Sequence, residues 1–315
     1  MHSPAAWRSS TVPRLVAAEG TAAAKRFIEF FAATIRNRNT RAAYVQAVGQ
    51  FFAWCERRKV PSLDHIEPVV VAAYIEQHYG SKPTVKQHLA AIRRLFDWLV
   101  TGGILPHNPA ASVRGPAYTV RRGKTPVLTA DEARRLLDSI DVSTLIGLRD
   151  RALIAVMVYS FARVSAAVGL TVGDYFIEKK RALLRLHEKG GKRHEVPAHH
   201  NVELYLDEYL EAYGSGRDKS APLFPTVDRR GRLTSEAMTR SDALRMIKRR
   251  SRRAGLSAAT CCHTFRATGI TLFRENGGTI EAAQQIAAHE SPRTTKLYDR
   301  TDDKITLDEI ERIVL

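Results

Sequence analysis

The sequence predicts a mainly α-helical protein with one small antiparallel β-sheet, divided into two domains. Three observations carry this. Apolar residues recur at helical spacing through most of the chain, switch to alternation once around 182–198, and are interrupted at 107–126 by a stretch rich in Pro, Gly and Arg. The 315 residues are enough for two separate cores.

Taken in order, residues 1–18, with scattered Ser, Pro and Ala, read as a flexible N-terminal arm, and residues 19–106 as a helical bundle. "AAAKRFIEFFAATIR" (22–36) opens it, and "NTRAAYVQAVGQFFAWCERR" (39–58) follows with Tyr44, Val48, Phe51 and Cys55 on one stripe. "EPVVVAAYIEQHYG" (67–80) is short and apolar. "TVKQHLAAIRRLFDWLVTGG" (84–103) aligns Val85, Leu89, Ile92, Phe96 and Leu99 and stops at Gly102-Gly103, a C-cap signal. Residues 107–126 read as a linker and 127–315 as a second domain, opened by the capping box of Thr129 and Glu132. There, helices are expected at 129–139, 145–160, 201–213, 234–254, 263–275, 279–288 and 305–314, and a hairpin at 182–198, where Leu184, Leu186 and Val196 flank "KGGK".

The charge narrows the function. A formal net charge of +16 and a pI near 10.0 call for a polyanionic partner, nucleic acid before an acidic membrane surface. Residues 1–125 hold 18 basic against 7 acidic side chains, which makes the first domain the more general phosphate-binding one. Cys55, Cys261 and Cys262 cannot build a disulfide framework, so a reducing cytoplasm is expected. The first twenty residues lack the apolar run of a signal peptide. "ALIAVMVYSFA" (152–162) is too short to span a bilayer and reads as a buried helix.

The second domain distributes a set of reactive side chains. Arg163 stands at the end of the apolar helix, Lys189 sits at the lip of the hairpin, His263 and Arg266 stand three apart at a helix start, and "AAHESPRTTKLYDR" (287–300) contributes His289 and Tyr298. Carboxylate clusters, zinc-like Cys/His spacing and a P-loop are missing, so a metal-dependent nuclease is not expected. Cys261-Cys262-His263 and His194/His199/His200 do not have zinc spacing either. Two arginines can instead grip a phosphodiester and neutralise the charge that grows during phosphoryl transfer.

Tyr298 would then be the nucleophile. At pH 7 only about one phenol in a thousand is ionised, a handicap of roughly 4 kcal/mol that a base and a cationic pocket can offset. His263 is the candidate base, Lys189 the acid for a leaving 5′ oxygen, and His289 a phosphate hydrogen-bond donor. Each residue alone has an ordinary explanation; their joint occurrence does not.

The ordered Arg163, Lys189, His263-x-x-Arg266, His289 and Tyr298 resemble the tyrosine recombinase (phage integrase) family, in its compact Xer-like and Cre-like form. "NTRAAYVQAVGQFFAW" and "TVKQHLAAIRRLFDWL" are similar to its core-binding, SAM-like domain, and "ENGGTIEAAQQIAAHESPRTTKLY" to its C-terminal box. The resemblance implies a two-domain, C-shaped DNA clamp and site-specific recombination through a 3′-phosphotyrosyl intermediate, for integration, excision or resolution. It implies a homo-tetramer on two double-stranded sites, a dimer on each, exchanging C-terminal helices such as 305–315. It also implies that no cofactor, neither metal nor nucleotide, is needed, and a cytoplasmic, nucleoid-associated enzyme, no membrane, and accessory DNA-binding proteins as further partners.

Three positions depart from the family pattern. Ala166 replaces a frequent acidic residue that supports the site, Phe161-Ala162 replaces glycine-leucine, and Ala287-Ala288 replaces leucine-glycine. Candidate DNA-binding residues in the first domain are Arg41, Lys86, Gln87 and Arg93, whose long donors suit phosphates and base edges. The basic run "RMIKRRSRR" (245–253) fits a solvated helix face or a phosphate contact equally. Two rivals keep part of this reading: a type IB topoisomerase-like relaxer, and a catalytically silent DNA-binding regulator.

Overall fold

The computed structural model describes residues 12–119, 123–188, 191–214 and 218–301. The chain forms two compact units, Met1–Thr119 and Val120–Leu315. Lys189, Arg121, Arg122 and the expected C-terminal helix at 305–315 lie outside the described residues.

In the first unit, α1 (Arg14–Ala18), α2 (Thr21–Glu29), α3 (Arg38–Arg57), α4 (Pro68–Glu76) and α5 (Lys82–Thr101) surround an aromatic core. Phe51 meets Tyr74 and Phe96 edge-to-face at 5.1 and 6.1 Å, and Phe27 does the same with Phe31 at 5.3 Å. The expected helix at 22–36 changes winding partway. Phe30–Thr34 is a π-helical turn, which buries the adjacent Phe30 and Phe31 together. The stripe Val85, Leu89, Ile92, Phe96 and Leu99 is buried as expected. Gly103, at φ +70°, ends α5, with Ile104 N–H bonded to the Leu99 carbonyl at 3.0 Å and Gly103 N–H to Val100 at 2.9 Å.

Two boundaries differ from the sequence reading. Residues 14–18 are not a loose arm but the helix α1, which buries Leu15 and Val16. The first part of the supposed linker folds back onto α5: Ala110 and Val113 are buried, and Arg93 donates to the carbonyls of both, at 3.0 Å for Ala110. Those carbonyls would lose solvent without a partner, and the guanidinium supplies one.

The second unit contains α6 (Ala130–Asp138), α7 (Leu145–Tyr159), α8 (Val164–Val168), α9 (His200–Tyr213), α10 (Arg240–Arg253), α11 (Cys262–Glu275), α12 (Ile280–Ile286) and α13 (Pro292–Lys296). Thr129 and Glu132 form the expected capping box of α6. The apolar helix α7 is buried from Ala152 to Val158 and packs on α9 and α11. At the α11 crossing, an added Cβ on Gly269 would lie 2.1 Å from the Val158 carbonyl, so only glycine permits that approach.

Two small sheets are present where one was expected. A three-stranded antiparallel sheet runs β1 (Tyr175–Glu178), β2 (Arg181–His187), β3 (Arg193–Pro197), with Leu184 opposite Val196. The second sheet pairs β4 (Pro225–Val227) with β5 (Leu233–Ala237), so the helix expected from 234 starts only at Arg240. Thr239 makes that start, capping α10 together with Asp242. Asp150 of α7 is fully buried and bound by Arg149 at 2.6 Å and by Arg250 of α10 at 2.8 Å. Arg250 of the basic run is therefore an internal counter-ion, while Arg252 and Arg253 face solvent.

Candidate active site

The start of α11 carries the centre of the site. Arg266 is 1% exposed, the largest fully buried side chain among the described residues. Its guanidinium donates to the Phe161 carbonyl, to the Ala287 carbonyl at 2.6 Å and to His289 Nε2 at 2.6 Å. Its Nε–H is buried and has no partner among the described residues. One of its five donors is thus left unsatisfied, in a place where an unpaired donor is costly. Burial, then the neighbouring charge of Arg163, pushes the Arg266 pKa down to about 10, which leaves it charged at neutral pH.

His289 is oriented from both sides. Arg266 can only donate, so His289 Nε2 accepts, the ring is neutral, and Nδ1–H donates to Thr295 Oγ1 at 2.9 Å. Burial first, and then the two guanidiniums of Arg266 and Arg163, pushes its pKa down to about 3. With both nitrogens engaged, His289 is not the free phosphate donor that the sequence suggested. It is a wedge that stacks on the Tyr298 ring, centroids 5.5 Å apart and planes within 15°. Thr295 itself is fully buried.

Tyr298 lies just past α13, half-buried beside a guanidinium and two imidazoles. The Arg266 guanidinium stands 5.6 Å from the ring centroid and the His263 ring 6.1 Å from it. Thr271 of α11 pins the main chain on both sides, donating to the Tyr298 carbonyl at 3.2 Å and accepting from Arg300 N–H at 3.1 Å. Arg274 adds an ion pair to Asp299 at 3.3 Å. Burial, followed by Arg266 and Arg163, lowers the His263 pKa, so this imidazole is neutral at pH 7 and able to accept a proton.

Arg163 arrives from a different element. It does not end the apolar helix; α7 stops at Tyr159, and Arg163 is the N-cap of α8. Its guanidinium forms an ion pair with Glu188, the residue directly after β2. The hairpin is tied down further by His194 Nε2, 3.1 Å from the Ile286 carbonyl, and by Lys192 Nζ, 3.0 Å from Glu290. These contacts bring the strands flanking Lys189 to the segment that holds His289.

Two departures from the family pattern acquire a geometry here. Phe161 has φ +53° and Ala288 φ +47°, both in the left-handed region that favours glycine. The structure therefore demands at both places the conformation that the family's glycines serve. Ala166 is buried against the core and brings no charge.

The structure thus brings together Arg163, His263, Arg266, His289 and Tyr298. The other candidates divide. Lys86 and Gln87 are exposed on α5, whereas Arg41 spends its guanidinium on the Ile35 carbonyl at 3.0 and 2.7 Å and Arg93 on Ala110 and Val113. Those two hold the first unit's own main chain. Among the described residues no three metal-ligating side chains converge, and His199 instead stacks on Tyr159 at 4.1 Å. Glu188, Thr271 and Thr295 escaped the sequence reading. For Glu188 a signal existed, a carboxylate directly before Lys189; the threonines had none.

A helical unit followed by a mixed unit, with arginines and histidines gathered on a tyrosine, defines the class of proteins that cut and rejoin DNA strands. Comparison with known proteins agrees. The pattern of the phage integrase family matches residues 126–304, and that of the phage integrase N-terminal SAM-like domain matches residues 24–103. The tyrosine recombinase XerD of Listeria monocytogenes serotype 4b is 26% identical over 266 residues, covering 82% of this chain and 87% of that protein. The XerD of Corynebacterium glutamicum is 29% identical over 290 residues, covering 87% and 90%. The fold matches a lambda integrase tetramer bound to a Holliday junction at a TM-score of 0.68 and 20% identity, over 90% of this chain and 78% of that one. The chain belongs to the phage integrase family, and its enzyme class is that of the site-specific tyrosine recombinases.

Proposed function

We propose that Tyr298 attacks a phosphodiester of a double-stranded recombination site, forming a 3′-phosphotyrosyl ester and releasing a 5′-hydroxyl. The observation that carries this is the convergence of Arg266, His263 and His289 on the Tyr298 ring. The phenol proton passes to neutral His263 as the oxygen–phosphorus bond forms. Arg266 and Arg163 take the charge that develops on the phosphate oxygens. Lys189 protonates the departing 5′ oxygen; its role rests on its place in the sequence. Attack by a 5′-hydroxyl from a second site reverses the steps, and the ester conserves the bond energy throughout.

The assembly follows by likeness: two protomers on each site and four on the synapsed pair, as in the lambda integrase tetramer on a Holliday junction. Lys86 and Gln87 are the first unit's proposed DNA contacts. A cytoplasmic setting at the nucleoid, with accessory DNA-binding proteins setting direction, belongs to the same proposal.

The test uses a nicked duplex carrying the site, selected from random-sequence DNA, so that cleavage traps the protein. Wild type should give a denaturation-resistant adduct on the 3′ phosphate, and Tyr298→Phe none while still binding the duplex. An adduct that persists in Tyr298→Phe would transfer the nucleophile to another residue. Binding without an adduct in either protein would leave the silent regulator as the better account.

A further inference from the structure

We propose that Glu188 is a positioning residue for strand cleavage, a buried carboxylate that holds the Arg163 guanidinium where the scissile phosphate is received. The inference rests on the reading of Arg163 as a phosphate ligand. Glu188 and its side chain are almost fully buried, 7% and 3% exposed, while the Arg163 side chain keeps 27%. A carboxylate is withdrawn from water only where a partner compensates it, and among the described residues Arg163 is the cation it pairs with.

The need for such a group is visible on the arginine side. Arg163 is the N-cap of the five-residue helix α8 and makes no side-chain capping bond to it, so its guanidinium is oriented by Glu188 rather than by its own helix. Arg266 is close enough for the two guanidiniums to oppose each other's charge, and Glu188 counters that opposition. One turn along α8, where an acid could have served, Ala166 offers a buried methyl. The charge has been relocated to the hairpin.

Position adds a second consequence. The Glu188 N–H donates to the Lys192 carbonyl at 2.8 Å, closing the loop that contains Lys189. One residue thereby fixes the base of that loop through its main chain and the first arginine through its side chain. Glu188 touches no reacting atom in this arrangement; it acts through Arg163.

The experiment measures the single-turnover rate of adduct formation by the full-length protein on the nicked duplex at saturating DNA, together with the dissociation constant and unfolding midpoint. Glu188→Gln should slow cleavage by about tenfold to a hundredfold while changing affinity by less than about twofold. Glu188→Asp, which keeps the charge, should recover part of the lost rate. In the background of Arg163→Lys, adding Glu188→Gln should cost less than about threefold, because the two act as one unit. All rates are read well below the lowest unfolding midpoint, so that they refer to folded protein.

Several results would overturn the proposal. A wild-type rate in Glu188→Gln makes the carboxylate a bystander. Tighter binding with faster cleavage makes it a phosphate mimic that competes for Arg163. Full additivity with Arg163→Lys places its action elsewhere, and an Asp variant as slow as Gln removes the role of the charge. If wild type itself forms no adduct, the reading of the site fails rather than this inference.

Discussion

Ala288 shows at the scale of a single residue how the backbone constrains the site. It holds φ +47° between Ala287, whose carbonyl receives Arg266, and His289. A left-handed conformation costs a non-glycine residue roughly 1–2 kcal/mol. Ala288→Gly is therefore expected to stabilise the protein by about 0.5–1 kcal/mol after its greater unfolded-state entropy is counted, read as a higher urea midpoint at unchanged slope. Phe161 shares the strain but packs with Ile270, Ala283 and Ala287, so glycine there should lose more than it gains. His289 supplies a pH test. Its folded pKa, about 3, lies below the ordinary value of 6.5, so below pH 6.5 the unfolded chain takes up a proton that the folded chain refuses. Its contribution to stability is complete above that pH and falls as pH drops toward 3, by up to about 1.4 kcal/mol per unit. His289→Gln should flatten this slope in urea titrations run across the interval; an unchanged slope would mean that His289 is not the neutral wedge described.

At the scale of elements, the long amphipathic helices were legible and the short pieces were not. The α5 stripe and its glycine stop, the α6 capping box and the apolar α7 follow from spacing and from the backbone groups that helix ends leave open. Strands β1, β4 and β5 span three to five residues, too few for an alternating pattern to stand out, and the spacing through β5 predicts the start of α10 instead. The π-helical turn at Phe30–Thr34 is as short, five residues inside an otherwise helical period, and its apolar residues do not set it apart from the α-helix before it. Contact between elements yields a further prediction. Gly269→Ala would set a methyl against the Val158 carbonyl and push α11, with its His263 and Arg266, away from α7. A loss of about 1–3 kcal/mol in stability is expected, with slower adduct formation. Unaltered stability would show that the crossing has slack.

For the whole molecule, charge is the property that composition alone sets. An excess of +16, weighted toward the first 125 residues, implies that binding releases condensed counterions from DNA. If about six to ten phosphates are contacted, affinity should fall about 10³–10⁵-fold between 50 and 200 mM salt. A shallow salt dependence, measured by anisotropy on the selected site, would contradict the phosphate-dominated interface. No helix among the described residues is long and apolar enough to cross a membrane. What the sequence determined by itself was the order of reactive residues, the two apolar cores and the basic balance, because residue type, period and charge are local properties. The tertiary structure decided which donors are free. It turned Arg41, Arg93 and Arg250 inward to carbonyls and Asp150, occupied both nitrogens of His289, buried the Arg266 Nε–H without a partner among the described residues, and brought Glu188 to Arg163 from 25 residues away. The reason is physical: a buried charge or hydrogen-bonding group must find its partner in space, and nothing in its sequence neighbourhood says where that partner will be.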